Sequence, residues 1–188
     1  MIRQLRSAPN QLTLLRLIFI PFVVISVVED RYGWALALFV LAGLSDALDG
    51  LLARVLKQKT ALGQYLDPIA DKLLLSTLFL VLAFEHRIPW YVTVLVFSRD
   101  LGILIVSALL YATNTLRDLR PSVWGKANTI VQVGTILVVL MAAVWPQTWL
   151  ETARVAGLRL TFALTLFSWI HYTVTVGQKL RAAQPRVS

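Results

Sequence analysis

Six long apolar stretches separated by short polar ones set the pattern of this chain. They run over about 11–29, 33–57, 61–84, 89–112, 123–145 and 152–178. Between them lie Glu29-Asp30-Arg31, Lys57-Gln58-Lys59, Glu85-His86-Arg87, the segment from Thr113 to Pro121, and Pro146-Gln147-Thr148. Each stretch is close to the ~20 residues that cross a hydrocarbon layer as a helix. None alternates with a period of two, and strands cross membranes only as closed barrels, so helices are predicted. Most connections are short, which makes sequence neighbours antiparallel. The expected fold is an all-α integral membrane protein with six transmembrane helices. Residues 1–188 form one membrane domain, with a short juxtamembrane segment at 1–10 and a basic tail at 178–188 that frays.

Composition agrees with the pattern. Hydrophobic residues make up 57% of the 188 positions, against about 45–50% in a soluble domain. Little length is left for a separate soluble domain. No small-x-small cleavage site follows the first apolar run, so it is read as an anchor that stays. The absence of cysteine excludes disulfides, zinc–thiolate sites and a thiol nucleophile.

The net charge of +8 would raise nucleic-acid binding in a soluble protein. Here the bases cluster at the ends of apolar runs, which fits anionic lipid headgroups instead. Arg3, Arg6, Arg54, Lys57, Lys59, Arg117, Arg120, Lys126, Lys179, Arg181 and Arg186 fall on one side, and Arg31, Arg87, Arg154 and Arg159 on the other. By the positive-inside rule both termini lie in the cytoplasm, in the cell membrane, and so does the turn between the second and third helices. Trp34, Trp90, Trp145 and Trp149 flank the opposite boundary, as interfacial aromatics do.

Four of the ten acidic residues crowd into this apolar setting: Asp46, Asp49, Asp67 and Asp71. The pattern is Asp46-x-x-Asp49-Gly50-x-x-Ala53-Arg54, then eight residues, then Gly63-x-x-x-Asp67-x-x-x-Asp71. Each ionised acid costs roughly 2.5–3.5 kcal/mol on insertion scales, and four together repel one another. Asp46, Asp49, Gly50 and Ala53 share one face of the second helix, and Gly63, Asp67 and Asp71 one face of the third. A short turn joins the two, so the faces are expected to meet as an oxygen-lined pocket for a hard cation such as Mg²⁺. Four acids exceed what one such ion needs, which points to two metals. Gly50, Ala53 and Gly63 are small where something bulky approaches the backbone. Arg54 suits a diphosphate, and Pro68 loosens the helix beside Asp67. The bland alternative is that an intramembrane Asp pairs with a base, with Lys72 and Arg99 as candidates, and that the glycines serve close packing. The joint pattern outweighs it.

These residues resemble the signature of the CDP-alcohol phosphatidyltransferase family, including the eight-residue gap between Arg54 and Gly63. The resemblance extends to Pro9-Asn10-Gln11-Leu12-Thr13-Leu14-Leu15-Arg16 with Pro21, and to Leu66-Asp67-Pro68-Ile69-Ala70-Asp71-Lys72. It implies six transmembrane helices, a homodimer, and a polar cavity open to the cytoplasm. It also implies a reaction, in which an alcohol attacks the β-phosphorus of CDP-diacylglycerol and CMP leaves. Carried over by position, Asp46, Asp49, Asp67 and Asp71 hold Mg²⁺, with Mn²⁺ as the other candidate, and Asp71 is also the general base. Gly50, Ala53 and Gly63 make room for the cytidine diphosphate, and Arg54 lies near its phosphates.

The acceptor is less sharply written. Ser98-Arg99-Asp100 lies inside the fourth helix, where Arg99 either reaches an acceptor phosphate or takes part in a helix–helix clasp. The family's phosphatidylglycerophosphate synthases have Arg-Glu here and a second Arg eight residues after the first, where this chain has Ser107. Arg120 and Lys126, at the start of the fifth helix, suit an anionic acceptor or simply the lipid surface. Gly125-Lys126-Ala127-Asn128-Thr129 and Arg99-Asp100 also resemble the family's cardiolipin synthases. The expected acceptor is glycerol 3-phosphate, with phosphatidylglycerol the alternative and an inositol phosphate behind both. A cation transporter would spread its acids along a pathway rather than cluster them at one depth. His86 and His171 have no ligand-spaced partner and are read as interfacial or packing residues.

Overall fold

The computed structural model describes residues 8–55, 61–112 and 123–183. For 8–16, 46–55, 61–71, 107, 108, 110–112, 179 and 181–183 it describes the backbone alone. These residues form six helices: α1 (Ala8–Val28), α2 (Tyr32–Val55), α3 (Ala61–Phe84), α4 (Trp90–Ala112), α5 (Val123–Val144) and α6 (Thr148–Ala183). No strand occurs among them. The middle four helices match the apolar stretches to within two residues. The outer two run longer than expected. α1 starts at Ala8, with Pro9 in its first turn, where a missing N–H costs nothing. α6 starts at Thr148 rather than 152 and continues past 178 to Ala183. Gln178 to Ala183 are good helix formers, so polarity there does not end the helix.

By length and composition α5 and the 148–178 portion of α6 are long and apolar enough to cross a membrane. The fully described apolar parts of α1, α2 and α3 are shorter: 17–28, 32–45 and 72–84.

Among the described residues α1 lies against α2 and α3, and α5 against α2, α3 and α6. α4 bridges α3 and α6. Val23, Val27, Ala35, Phe39, Leu78, Phe79, Leu82, Val92, Val96, Ile136 and Leu140 bury together in one core, to which α6 adds Leu158. Between helices in lipid such packing contributes through close van der Waals fit rather than water exclusion.

The turns after α1 and α3 close in the same way. Arg31 N–H reaches Ser26 C=O at 2.8 Å and Asp30 N–H reaches Val27 C=O at 3.1 Å. Arg87 N–H reaches Leu82 C=O at 2.8 Å and His86 N–H reaches Ala83 C=O at 3.1 Å. These are Schellman closures, which need a left-handed residue at the turn. Asp30 (φ 57°) and His86 (φ 54°) supply it in place of glycine. The Arg87 guanidinium then donates to the Tyr32 hydroxyl at 3.3 Å, and Arg154 donates to the Arg87 carbonyl at 2.7 Å. The turn after α3 is thereby tied to the first turns of α2 and α6 at one end of the bundle. Trp34, Trp90, Trp145 and Trp149 all sit at that end and are exposed, as the sequence predicted.

Candidate functional site

The carboxylate pattern falls where α2 ends and α3 begins. Asp46, Asp49, Gly50, Ala53 and Arg54 lie in the last turns of α2, and Gly63, Asp67 and Asp71 in the first turns of α3. The backbone is helical through both segments. The i, i+3 and i, i+4 register that places each set on one helical face therefore holds. The side chains of all eight lie outside the described residues, and so does the meeting of the two faces. Arg120 is likewise outside them.

Beside this segment the structure describes a buried ionic cluster that links three helices. Lys72, the residue after Asp71, places Nζ 3.0 Å from Asp100 Oδ1. Arg99 Nη1 donates to that same oxygen at 2.6 Å, and Arg99 Nη2 donates to Ser168 Oγ at 3.0 Å. Arg99 and Asp100 are 4% and 5% exposed, so each needs its partner. A charge buried this deeply without one is far more costly than the pair. Arg99 thus takes part in a helix–helix clasp, and its Nε has no partner among the described residues.

A second polar seam runs between α5 and α6. Thr165 donates to Asn128 Oδ1 at 2.9 Å. Thr135 and Thr161 hydroxyls meet at 2.8 Å, and Thr135 also donates to the Gly157 carbonyl at 3.1 Å. Asn128, Thr161 and Thr165 are fully buried. The amide nitrogens of Asn128 and Gln132 have no partner among the described residues. None of these hydroxyl pairs was singled out in the sequence, although the signal was there. Asn128, Gln132 and Thr135 are spaced 0, 4, 7, and so are Thr161, Thr165 and Ser168. Two polar stripes with matching periods on consecutive apolar helices imply a shared interface.

Lys126 is exposed in the first turn of α5, two residues from Trp124, whose ring packs edge-on against Phe167 at 4.8 Å. His171 lies beside Phe167 at 6.3 Å, and His86 occupies an exposed turn. Both positions are those of packing and interfacial residues.

A bundle of long apolar helices with ionic groups inside it, and a carboxylate-rich pair of helix ends at one extremity, defines a class of helical proteins that handle charged groups in an apolar setting. The chain belongs to the CDP-alcohol phosphatidyltransferase family, whose sequence model matches residues 6–176. It is 37% identical to the CDP-diacylglycerol–glycerol-3-phosphate 3-phosphatidyltransferase of Salmonella typhimurium (strain LT2), over 88% of this chain and 92% of that one. It is 31% identical to a probable phosphatidylglycerophosphate synthase of Mycobacterium tuberculosis, over 90% of this chain and 81% of that protein. It is 32% identical to the cardiolipin synthase (CMP-forming) of Homo sapiens over 88% of its own length, but spans only 61% of the human protein.

Proposed function

We propose that the protein transfers the phosphatidyl group of CDP-diacylglycerol to glycerol 3-phosphate, releasing CMP. One observation carries the reading: the full carboxylate pattern, with Arg54 and the small residues in place, lies in helical register on two consecutive helices. Coverage supports this acceptor. The match to the Salmonella glycerol-3-phosphate enzyme takes in 92% of that protein, while the match to the human cardiolipin synthase leaves more than a third of it unaligned.

Asp46, Asp49, Asp67 and Asp71 offer only carboxylate oxygens, a donor set that fits one or two Mg²⁺ ions, or Mn²⁺ in their place. Bound there, the metal supplies charge neutralisation at the diphosphate. Gly50, Ala53 and Gly63 leave room for the nucleotide. Arg54 balances charge at its phosphates and favours departure of CMP. Asp71 takes the proton of the attacking hydroxyl. Arg120 and Lys126 hold the anionic end of the acceptor, and the Arg99–Asp100 pair belongs to the frame that fixes α3 beside α4. The protein resides in the cell membrane with all six helices spanning it, the site on the cytoplasmic side, and works as a homodimer. A second reading, phosphatidylglycerol as acceptor, draws on Arg99-Asp100 and Gly125-Lys126-Ala127-Asn128-Thr129.

The test is CMP release from CDP-diacylglycerol and Mg²⁺ by purified protein, offering glycerol 3-phosphate, phosphatidylglycerol and inositol phosphate in separate reactions. Release with glycerol 3-phosphate alone supports the proposal. Release with phosphatidylglycerol instead moves the protein to the second reading. No CMP with any acceptor sinks both and reopens ion transport.

A further inference from the structure

Among the described residues two polar ties join α3 to α4, and they share one spacing. Near the start of α4 the Thr93 hydroxyl donates to the Phe79 carbonyl at 3.1 Å. Near its middle, Asp100 Oδ1 meets Lys72 Nζ at 3.0 Å. Phe79 lies seven residues after Lys72 on α3, and Asp100 seven after Thr93 on α4. Seven residues rise about 10.5 Å, close to two turns, and return to the same face to within about 20°. The ties therefore lie one above the other on a single antiparallel interface. Two fixed points on one face hold both the level of α3 and its rotation about its own axis. Each is anchored. Thr93 and Phe79 are buried. Asp100 is held by Arg99 Nη1 at 2.6 Å, and Arg99 in turn by Ser168 of α6.

Lys72 directly follows Asp71, where the acidic stretch of α3 ends. We propose that Lys72 is a positioning residue for the transfer: by gripping Asp100 it sets the rotation of α3, and with it the place from which Asp71 acts. This rests on the transferase reading above, in which Asp71 is base and metal ligand. With Lys72 released, the Thr93 tie leaves one fixed point about which α3 can turn. A helix with its side chains is about 5–6 Å in radius, so a turn of about 10° carries an outer atom about 1 Å. A displacement of that size at a reacting group can cost about 10²-fold in rate. The charge of Lys72 has a separate effect of opposite sign. A cation beside the aspartates repels a divalent ion, so removing the charge alone tightens metal binding. Losing the grip instead displaces a carboxylate and weakens it.

The opposite signs make the test sharp. Lys72→Met and Lys72→Arg are purified full-length beside the wild type, and far-UV circular dichroism melts confirm the fold. Lys72 is 28% exposed along its side chain, and methionine keeps most of its length, so the Met variant is expected to fold. CMP release is measured with CDP-diacylglycerol and saturating glycerol 3-phosphate at a temperature well below every melt. Mn²⁺ binding is measured on the metal-stripped proteins by electron paramagnetic resonance, without substrate. The expected result for Lys72→Met is a drop in kcat of about tenfold or more, a KM for the CDP-lipid within about threefold of wild type, and weaker Mn²⁺ binding. Lys72→Arg keeps the grip and should recover most of kcat and of the Mn²⁺ affinity. A wild-type kcat in Lys72→Met overturns the proposal. So does Mn²⁺ binding that is unchanged or tighter, or an Arg variant no better than the Met one. No CMP from the wild type is a separate failure, that of the transferase reading itself, and the Mn²⁺ comparison then still decides whether Lys72 holds the aspartates in place.

Discussion

Lys72 and Asp100 meet at 3.0 Å one residue beyond Asp71, and Asp100 shares the same oxygen with Arg99. The pair joins α3 to α4 where α3 carries its last acidic residue. Asp100→Ala removes the counter-charge of two bases at once, one of them 4% exposed. The expected loss is about 3–5 kcal/mol, read as a lower melting temperature in detergent by circular dichroism. Lys72→Met leaves Arg99 paired and costs less. Equal losses for the two variants would refute a shared clasp.

Gly102 of α4 admits the Trp169 ring of α6. A Cβ at Gly102 would overlap the far edge of that indole. Gly102→Ala is therefore expected to destabilise by about 1–3 kcal/mol through overpacking. Adding Trp169→Leu removes the obstructing ring and should recover part of the loss, a coupling read from a double-mutant cycle. Additive losses would show that the two residues do not act on each other.

His86 holds a left-handed conformation that glycine adopts without strain. His86→Gly should stabilise the protein by up to about 1 kcal/mol, seen as a higher melting temperature with unchanged CMP release. A lower melting temperature would mean that the imidazole makes a contribution larger than the strain it bears.

Asp71→Asn is expected to lower CMP release by roughly 10²–10⁴-fold, the usual contribution of a general base. Binding of the CDP-lipid, followed by equilibrium dialysis, should largely survive because three carboxylates remain. Turnover like that of the wild type would remove Asp71 from the proton transfer.

The helices were legible because each apolar run is long, aperiodic at two, and bounded by charges. The start of α6 was not, because Pro146-Gln147-Thr148 reads as a loop. The missed signal is Thr148-x-x-Glu151, a helix-start pattern. The acidic motif was legible from spacing alone, since helical register converts 46/49 and 67/71 into faces. What spacing could not give was the partner of Arg99. Asp100 is adjacent in sequence, but Ser168 comes from 69 residues away, and Lys72, which shares the Asp100 oxygen, lies 28 residues before that acid, so only packing brings them together.

The Lys72–Asp100 contact also bears on how the chain is made. Its two members lie on consecutive helices joined by the turn at 85–89, so α3 and α4 can come together as a hairpin in which Asp100 offsets part of the charge of two bases. Arg99 and Asp100 already pair within α4, whereas Lys72 on α3 gains its counter-charge only from the hairpin, and an unpaired charge at mid-depth costs roughly 2.5–3.5 kcal/mol. Arg99's remaining partner, Ser168, is on the last helix. The cluster's ion pairs can therefore form early, but it is locked only after α6 has been synthesised, and a chain halted before Ser168 retains a buried guanidinium one hydrogen bond short.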